Sequence, residues 1–359
     1  MSTQVQQTLG DGSALDRLTF LVPNGWNVWH GGNICDAEEP DSYWPGRIVA
    51  QAKGWWITID RRRDAHEAHW RNLRDTGQSG VTHIGQLERQ DGSTFTTEDS
   101  APVLRALRLA FSLAVGRAVG PLLPVGWRQE APVWTQWRRE RIDSVRPSGQ
   151  FLDRYAGHTQ VAELIERVVD FCDIDDRMEV LQYAVSYYIT ATYDADDELR
   201  VALPVSGMQL LAYRRFVEER QSFTNNQWAD LGKADSLGRG QTECEIRRLL
   251  DDCNIATGLP SQFANLQKVS AALPALKDGS PRDALGCVIS MRNKIIHPTK
   301  ALPSTWDAYQ WWEAASYAVD AFLLSILNTI GYTGQYRSAV ATNVSTGVTN
   351  PVPWVPPLP

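Results

Sequence analysis

The period of the hydrophobic pattern changes once along this chain, near Arg146-Pro-Ser-Gly149, and that change restricts what it can fold into. Before it, the chain runs in short segments: Leu18–Val22, Arg47–Ala50, Gly54–Asp60, Val81–Gly85, Thr94–Thr97 and Pro132–Trp137. Turn residues separate them, among them Pro23-Asn-Gly25, Pro45-Gly46 and Asp91-Gly92. Strand side chains alternate between two faces, so short alternating runs between turns predict an antiparallel sheet. Ala101–Val119 departs from this pattern, with Leu104, Leu107, Ala110, Phe111 and Val115 at helical spacing. It predicts one helix on the sheet, ended by Gly120-Pro121.

After the change, apolar residues recur at the three-and-four spacing of helices with one buried face. Helices are predicted over Val161–Phe171, Met178–Ala191, Leu199–Glu219 (Pro204 a kink or start), Glu243–Asp252, Phe263–Leu276 and Arg282–His297. The polar stretch Gln221–Gln241 predicts a surface loop. Ser304-Thr-Trp-Asp307 predicts a variant capping box opening a last helix, whose stripe runs through Trp312, Ala315, Ser316, Val319, Phe322, Leu323, Ile326 and Ile330. The expectation is an α+β multidomain chain, an N-terminal antiparallel β-rich domain followed by an all-α helical bundle. Its parts are a flexible 1–15, the β-rich domain 16–150, a linker helix 151–175, the bundle 176–338 and a Pro-rich tail 339–359.

Composition narrows the function. A net charge of −7 argues against a protein that coats nucleic acid non-specifically, so any such contact is local. The 5 cysteines are scattered without CxxC spacing, which fits reduced thiols rather than a zinc or redox centre. No apolar run is long enough to span a bilayer and the start lacks a secretion-signal pattern, so a cytoplasmic protein without membrane contact is expected. There is no P-loop, GxGxxG or GxSxG, and neither a cofactor nor a bound metal is expected.

One motif concentrates the chemistry: Arg292-Asn293-Lys294-Ile295-Ile296-His297-Pro298, closing the helix that carries Leu285, Val288 and Ile289. At about 100° per residue, Arg292 projects about 20° from Leu285, from the middle of the apolar face. A guanidinium cannot be neutralised there and needs an anion, a carboxylate or a wet groove. Pro298 disfavours helical geometry at His297, which frees the imidazole from the last turn. Two readings follow: an Arg, Asn and His that hold and cleave a phosphodiester, or an Arg paired with a buried carboxylate beside an ordinary helix-end His. In the first half, Arg61–Arg63, His66, His69, Arg71 and Arg74, then Arg138, Arg139, Arg141 and Arg146, lie among Trp70, Trp134 and Trp137. They suggest either nucleic-acid contact or a solvated face over core tryptophans. His66 and His69 lack a third metal ligand at sensible spacing.

The Arg292-Asn293-x-x-x-His297 motif, late in a helical bundle, resembles the HEPN superfamily (higher eukaryotes and prokaryotes nucleotide-binding domains). Met291–Thr299 and Gly331-Tyr-Thr-Gly-Gln-Tyr-Arg337 look like its ApeA-like group in bacteria, in which a β-rich domain precedes the bundle. The resemblance covers roughly 176–338 and, more weakly, 16–150. It implies a metal-independent endoribonuclease that cleaves RNA at a dimer interface, in phage defence or as a toxin. Arg292, Asn293 and His297 would be catalytic, and Lys294 and Lys300 would bind substrate. The implied partners are RNA, a second copy of the chain (or a higher homo-oligomer) and an unidentified trigger at the N-terminal domain. Gln209 stands where related sequences often carry Glu, which would leave Arg292 a neutral partner. The alternative is a non-catalytic HEPN module that binds nucleotide or RNA, or only dimerises.

Overall fold

A computed structural model describes the chain except residues 1–5, 29, 37, 40, 147–150, 154, 156, 194, 297–305, 342–347 and 357–359. It has an α+β, two-part architecture. One compact unit comprises Met1–Leu181, Gly334–Arg337 and Ser345–Thr349, and the other Gln182–Thr333, Ser338–Val344 and Asn350–Pro359.

The first unit is an eight-stranded antiparallel sheet with three helices. In chain order these are β1 (Gln6–Gly10), β2 (Arg17–Pro23), β3 (Gly32–Cys35), β4 (Tyr43–Ala52), β5 (Trp55–Arg61), α1 (Glu67–Thr76), β6 (Val81–Arg89), α2 (Thr97–Val115), β7 (Leu122–Arg128), β8 (Ala131–Arg138) and α3 (Gly157–Phe171). The strand order is β1-β8-β7-β2-β6-β5-β4-β3. Alternation is plain on β4, where Ile48, Ala50 and Ala52 are buried while Arg47, Val49 and Gln51 face out. Phe20 of β2 pairs in register with Gly85 of β6, and any side chain at position 85 would collide with its ring. That glycine is a seat for an aromatic on the buried face.

Several expectations are corrected here. Gln6–Gly10, expected to be loose, pairs with β8, because an edge strand satisfies its backbone by a register the alternation alone does not reveal. Thr94–Thr97 is not a strand: Phe95 makes one isolated bridge with Leu15, and Thr96 caps α2. Thr96 Oγ1 accepts from Asp99 N at 3.1 Å while Asp99 Oδ2 accepts from Thr96 N at 2.8 Å, a reciprocal box that starts the helix earlier than its apolar spacing. Gly116, with φ 65°, ends α2 in the left-handed region, before the predicted stop at Gly120. Finally, α3 packs on β4 and α2, and Glu166 Oε1 accepts from Gln51 N at 2.9 Å, so it is part of this unit rather than a linker.

The division between units falls within α4 (Asp175–Tyr193), after Leu181. The second unit continues with α5 (Asp197–Tyr213), a π-helical turn (Arg214–Glu219), α6 (Asn225–Ala229), α7 (Gln241–Asp252), α8 (Ala264–Ala272), α9 (Ala284–Ile296) and α10 (Ala308–Thr329). At the centre is α10: Glu313 to Leu327 are all buried, so it is enclosed rather than carrying the single predicted stripe. Trp312, placed in that stripe, is 49% exposed. α5 lies closest to α10, over Gly207, where any side chain would strike the Phe322 ring. Pro204 sits buried inside α5, and the change of helical pitch comes only at Arg214. The predicted loop Gln221–Gln241 contains α6, capped by Thr224 and anchored by Trp228 stacked 6.0 Å from Phe216. The last helix is capped by Asp307 itself: its Oδ1 accepts from Gln310 N at 2.9 Å and Gln310 Oε1 accepts from Asp307 N at 3.0 Å. Ser304, the predicted cap, lies outside the described residues. In the Pro-rich tail Val352 is buried and Trp354 Nε1 donates to Tyr332 O at 2.8 Å, so that part packs on the unit.

Candidate functional site

The motif helix α9 is held at its start by charge. Asp283 accepts from Gly286 N at 2.9 Å, capping the helix, and takes both guanidinium nitrogens of Arg247 on α7, at 2.7 and 3.0 Å. Burial works to raise the Asp283 pKa, but these hydrogen bonds outweigh it and the carboxyl ends below its usual value. Buried Glu243 accepts from Arg247 and Arg282, each at 3.1 Å. Arg247 and Asp283 pair bidentately, and with Glu243 they fix α9 against α7.

The far end of α9 differs. Leu285, Val288, Ile289 and Met291 are buried, but Ile295 and Ile296, read from the sequence as part of the same apolar face, are 37% and 42% exposed. The seam ends one turn early because the helix runs past the core that covers it. Arg292 therefore sits at the lip, half-buried. Its Nη1 donates to Asn293 Oδ1 at 3.2 Å, while Nε is shut from solvent with no hydrogen-bond partner among the described residues. Burial lowers its pKa, and among the described residues no carboxylate lies within ion-pair distance. The expected neutral partner is engaged elsewhere: Gln209 Nε2 donates to Glu245 Oε2 at 2.8 Å and Thr242 Oγ1 at 3.3 Å on α7. Thus the buried-carboxylate reading of Arg292 has no partner there.

Arg292, Asn293 and Lys294 come together on one turn. Burial lowers the Lys294 pKa as well, and its Nζ lies 4.0 Å from the centroid of Trp306. Trp306 in turn meets Trp311 edge-on at 5.5 Å, and Trp312 lies 6.4 Å from Phe263. These aromatics were missed as site residues. The signal was present: Trp306, Trp311 and Trp312 crowd the start of a helix, where nothing yet exists to bury them. His297 and Lys300 lie outside the described residues.

In the first unit the basic stretch is largely compensated. Arg62 pairs with Asp64 (2.8 Å), Arg63 with Asp36 (2.7 Å), Arg74 with Asp75 (2.9 Å) and Arg141 with Asp143 (2.9 Å). Trp70 and Trp134 are buried and only Trp137 is exposed. Among the described residues no three His, Cys, Asp or Glu side chains gather as metal ligands, so His66 and His69 gain no third partner. His83, unremarked in its strand, is core: its Nδ1 is 2.9 Å from Thr82 Oγ1 and its ring 4.7 Å from Trp26. Burial, helped by the charge of Arg61, pushes its pKa down to about 3.

Among the described residues no helix is long and apolar enough to cross a membrane. No solved structure matches the chain. It is 23% identical over 312 residues to the "SPbeta prophage-derived uncharacterized protein YopA" of Bacillus subtilis (strain 168), covering 86% of this chain. The match spans 66% of that relative's length. Residues 10–148 match the family model of the YopA central domain, and residues 174–349 that of the YopA C-terminal domain.

Proposed function

We propose that this chain is a metal-independent endoribonuclease of HEPN type, acting as a homodimer in the bacterial cytoplasm. The observation that carries the reading is Arg292: a half-buried guanidinium at a helix end, without a carboxylate among the described residues and with a buried Nε unsatisfied. A phosphodiester oxygen is the acceptor such a group lacks. His297 takes the proton of an RNA 2′-OH, and O2′ attacks phosphorus. The P–O5′ bond breaks and O5′ takes up a proton, which leaves a 2′,3′-cyclic phosphate and a 5′-OH. Arg292 holds the phosphoryl oxygens as charge develops, Asn293 orients the guanidinium through its Oδ1, and Lys294 and Lys300 add phosphate contacts.

On an ideal helix Arg292 and His297 point about 140° apart, so they share one phosphodiester either by His297 leaving the helix ahead of Pro298 or by a second copy supplying the complementary residue across a two-fold axis, the arrangement of the proposed homodimer. The likeness to a prophage-derived protein supports a role in phage defence or toxin-like RNA restriction, with the sheet unit as sensor. A second reading, a non-catalytic module that binds RNA or only dimerises, is favoured by the exposure of Ile295 and Ile296.

Purified protein is expected to cleave single-stranded RNA in EDTA, leaving cyclic phosphate ends. Arg292→Ala and His297→Ala should each abolish cleavage with the chain still folded by circular dichroism. Wild-type activity in His297→Ala ends the nuclease reading, and RNA binding without cleavage selects the second one.

A further inference from the structure

Lys294 stands two residues beyond Arg292 in α9, so the two side chains leave the helix about 160° apart. Neighbours at that spacing do not face each other, and a helix with its side chains is about 10–12 Å across. The oxygens of one phosphate lie far too close together to bridge that width. One copy of α9 therefore cannot close both cations on the same phosphodiester.

The structure also fixes where the ammonium goes. Its Nζ lies 4.0 Å from the ring centroid of half-buried Trp306, the residue before the cap of α10, and Trp306 is braced edge-on by Trp311 at 5.5 Å. Arg292 lies over no ring among the described residues and turns to Asn293 instead. The tie to Trp306 keeps Lys294 within its own chain, whichever copy completes the site.

What Lys294 lacks is an anion. It makes no hydrogen bond or ion pair among the described residues. Residues 297–305, between α9 and Trp306, contain no Asp or Glu to supply one. The first acid beyond them, Asp307, spends Oδ1 on the Gln310 amide as the helix cap. A ring face takes one side of an ammonium and leaves N–H donors on the other. Burial lowers the Lys294 pKa, a desolvation that an arriving phosphate offsets.

We propose that Lys294, positioned by Trp306, binds a backbone phosphate flanking the one held by Arg292, so that the site takes RNA through two phosphates at once and not through one isolated phosphodiester. The flanking contact deepens the nuclease reading and rests on it for the identity of the strand, but it is measured both with and without cleavage.

The probe is a mixed-sequence 2′-O-methyl oligonucleotide carrying a single ribonucleotide, so that one bond alone can be cut. Each phosphate on either side of that bond is replaced in turn by a neutral methylphosphonate. With the full wild-type chain in EDTA, neutralising one flanking position is expected to lower kcat/KM by about 10-fold, the scale of one charged hydrogen bond. In Lys294→Ala the same replacement should cost nothing further, because the cation that meets that phosphate is gone. Trp306→Ala should blunt the effect and Trp306→Phe should restore it, since a phenyl ring still seats the ammonium. Binding of the fully 2′-O-methylated strand, followed by anisotropy against KCl, should lose about 0.7 from its log–log slope in Lys294→Ala. An unchanged slope overturns the flanking contact, and wild-type behaviour in Trp306→Ala overturns the positioning by Trp306. Should Trp306→Ala fail to fold, Trp306→Phe and Lys294→Ala carry the test. If the slope drops yet the wild type cuts nothing, the nuclease reading fails and the flanking contact stands. If the wild type cuts and Lys294→Ala is as sensitive as it is to every methylphosphonate, only the flanking contact falls.

Discussion

Two guanidiniums, one in each unit, show how differently the same group can be housed. Arg117, 1% exposed in the sheet unit, donates to the carbonyls of Asn24 at 2.7 Å, Gly25 at 2.8 Å and Val115 at 3.3 Å. Arg292, at the lip of the helical unit, reaches one side-chain oxygen at 3.2 Å, with no carboxylate at ion-pair distance among the described residues. The first cation is consumed by backbone acceptors and holds the loop after β2 to the end of α2. The second has capacity left for a ligand. A buried charge therefore says little about function until its acceptors are counted.

The sharpest way to break this contrast is to remove both. Arg117→Met should lower the stability of the sheet unit by roughly 3–5 kcal/mol, because carbonyls lose their donor inside the core. Arg292→Ala should change stability by less than about 1 kcal/mol while abolishing RNA cleavage. Urea unfolding of the two variants checks both. Equal losses would make Arg292 another structural cation.

The units should also answer acid in opposite senses. His83 has its pKa pushed down to about 3 by burial and by the charge of Arg61, below the unfolded value of 6.5. The unfolded chain then binds the proton more readily, so stability falls as pH drops below about 6.5. Asp320 on α10, its pKa raised by burial to about 6 against hydrogen bonds from Ala339 N and Ser338 Oγ, does the reverse. Its folded form binds the proton more tightly, so stability rises as pH falls through about 6 and levels below about 3.8. Between pH 7 and 4.5 each contribution is on the order of 2–3 kcal/mol. His83→Gln should remove the acid loss and Asp320→Asn should steepen it, read by urea midpoints across that range. Identical pH profiles in the two variants would contradict the assignment.

The smallest expected effect concerns packing. A methyl at Gly207 meets the buried ring of Phe322, so Gly207→Ala should destabilise by roughly 1–3 kcal/mol despite the better helix propensity of alanine. A more stable Gly207→Ala protein would show that α5 and α10 can part at no cost.

What could be read in the residues follows from which forces are local. Alternation predicted strands β2, β4, β5, β6 and β8, and three-and-four spacing predicted α3, α4, α5, α7, α8 and α9, because burial of one face is written in a few consecutive side chains. β1, β3 and β7 were not legible, since a strand paired within a sheet borrows its order from neighbours distant in sequence. The cap of α10 was misplaced by three residues because Ser304 and Asp307 both make good caps, and only the Gln310 contact distinguishes them.

The same division applies to the site. The position of Arg292 on an apolar helix, with Asn293 and Lys294 beside it, was determined by the sequence alone, since helical geometry fixes the direction of each side chain. Tertiary structure decided the rest. It ended the core before Ile295, left Tyr309 and Trp312 in water, gave Gln209 to Glu245 and satisfied Arg117 with backbone carbonyls. Those outcomes depend on which surfaces meet, and partners for a buried polar group come from whatever chain lies nearest in space, at any distance along the sequence.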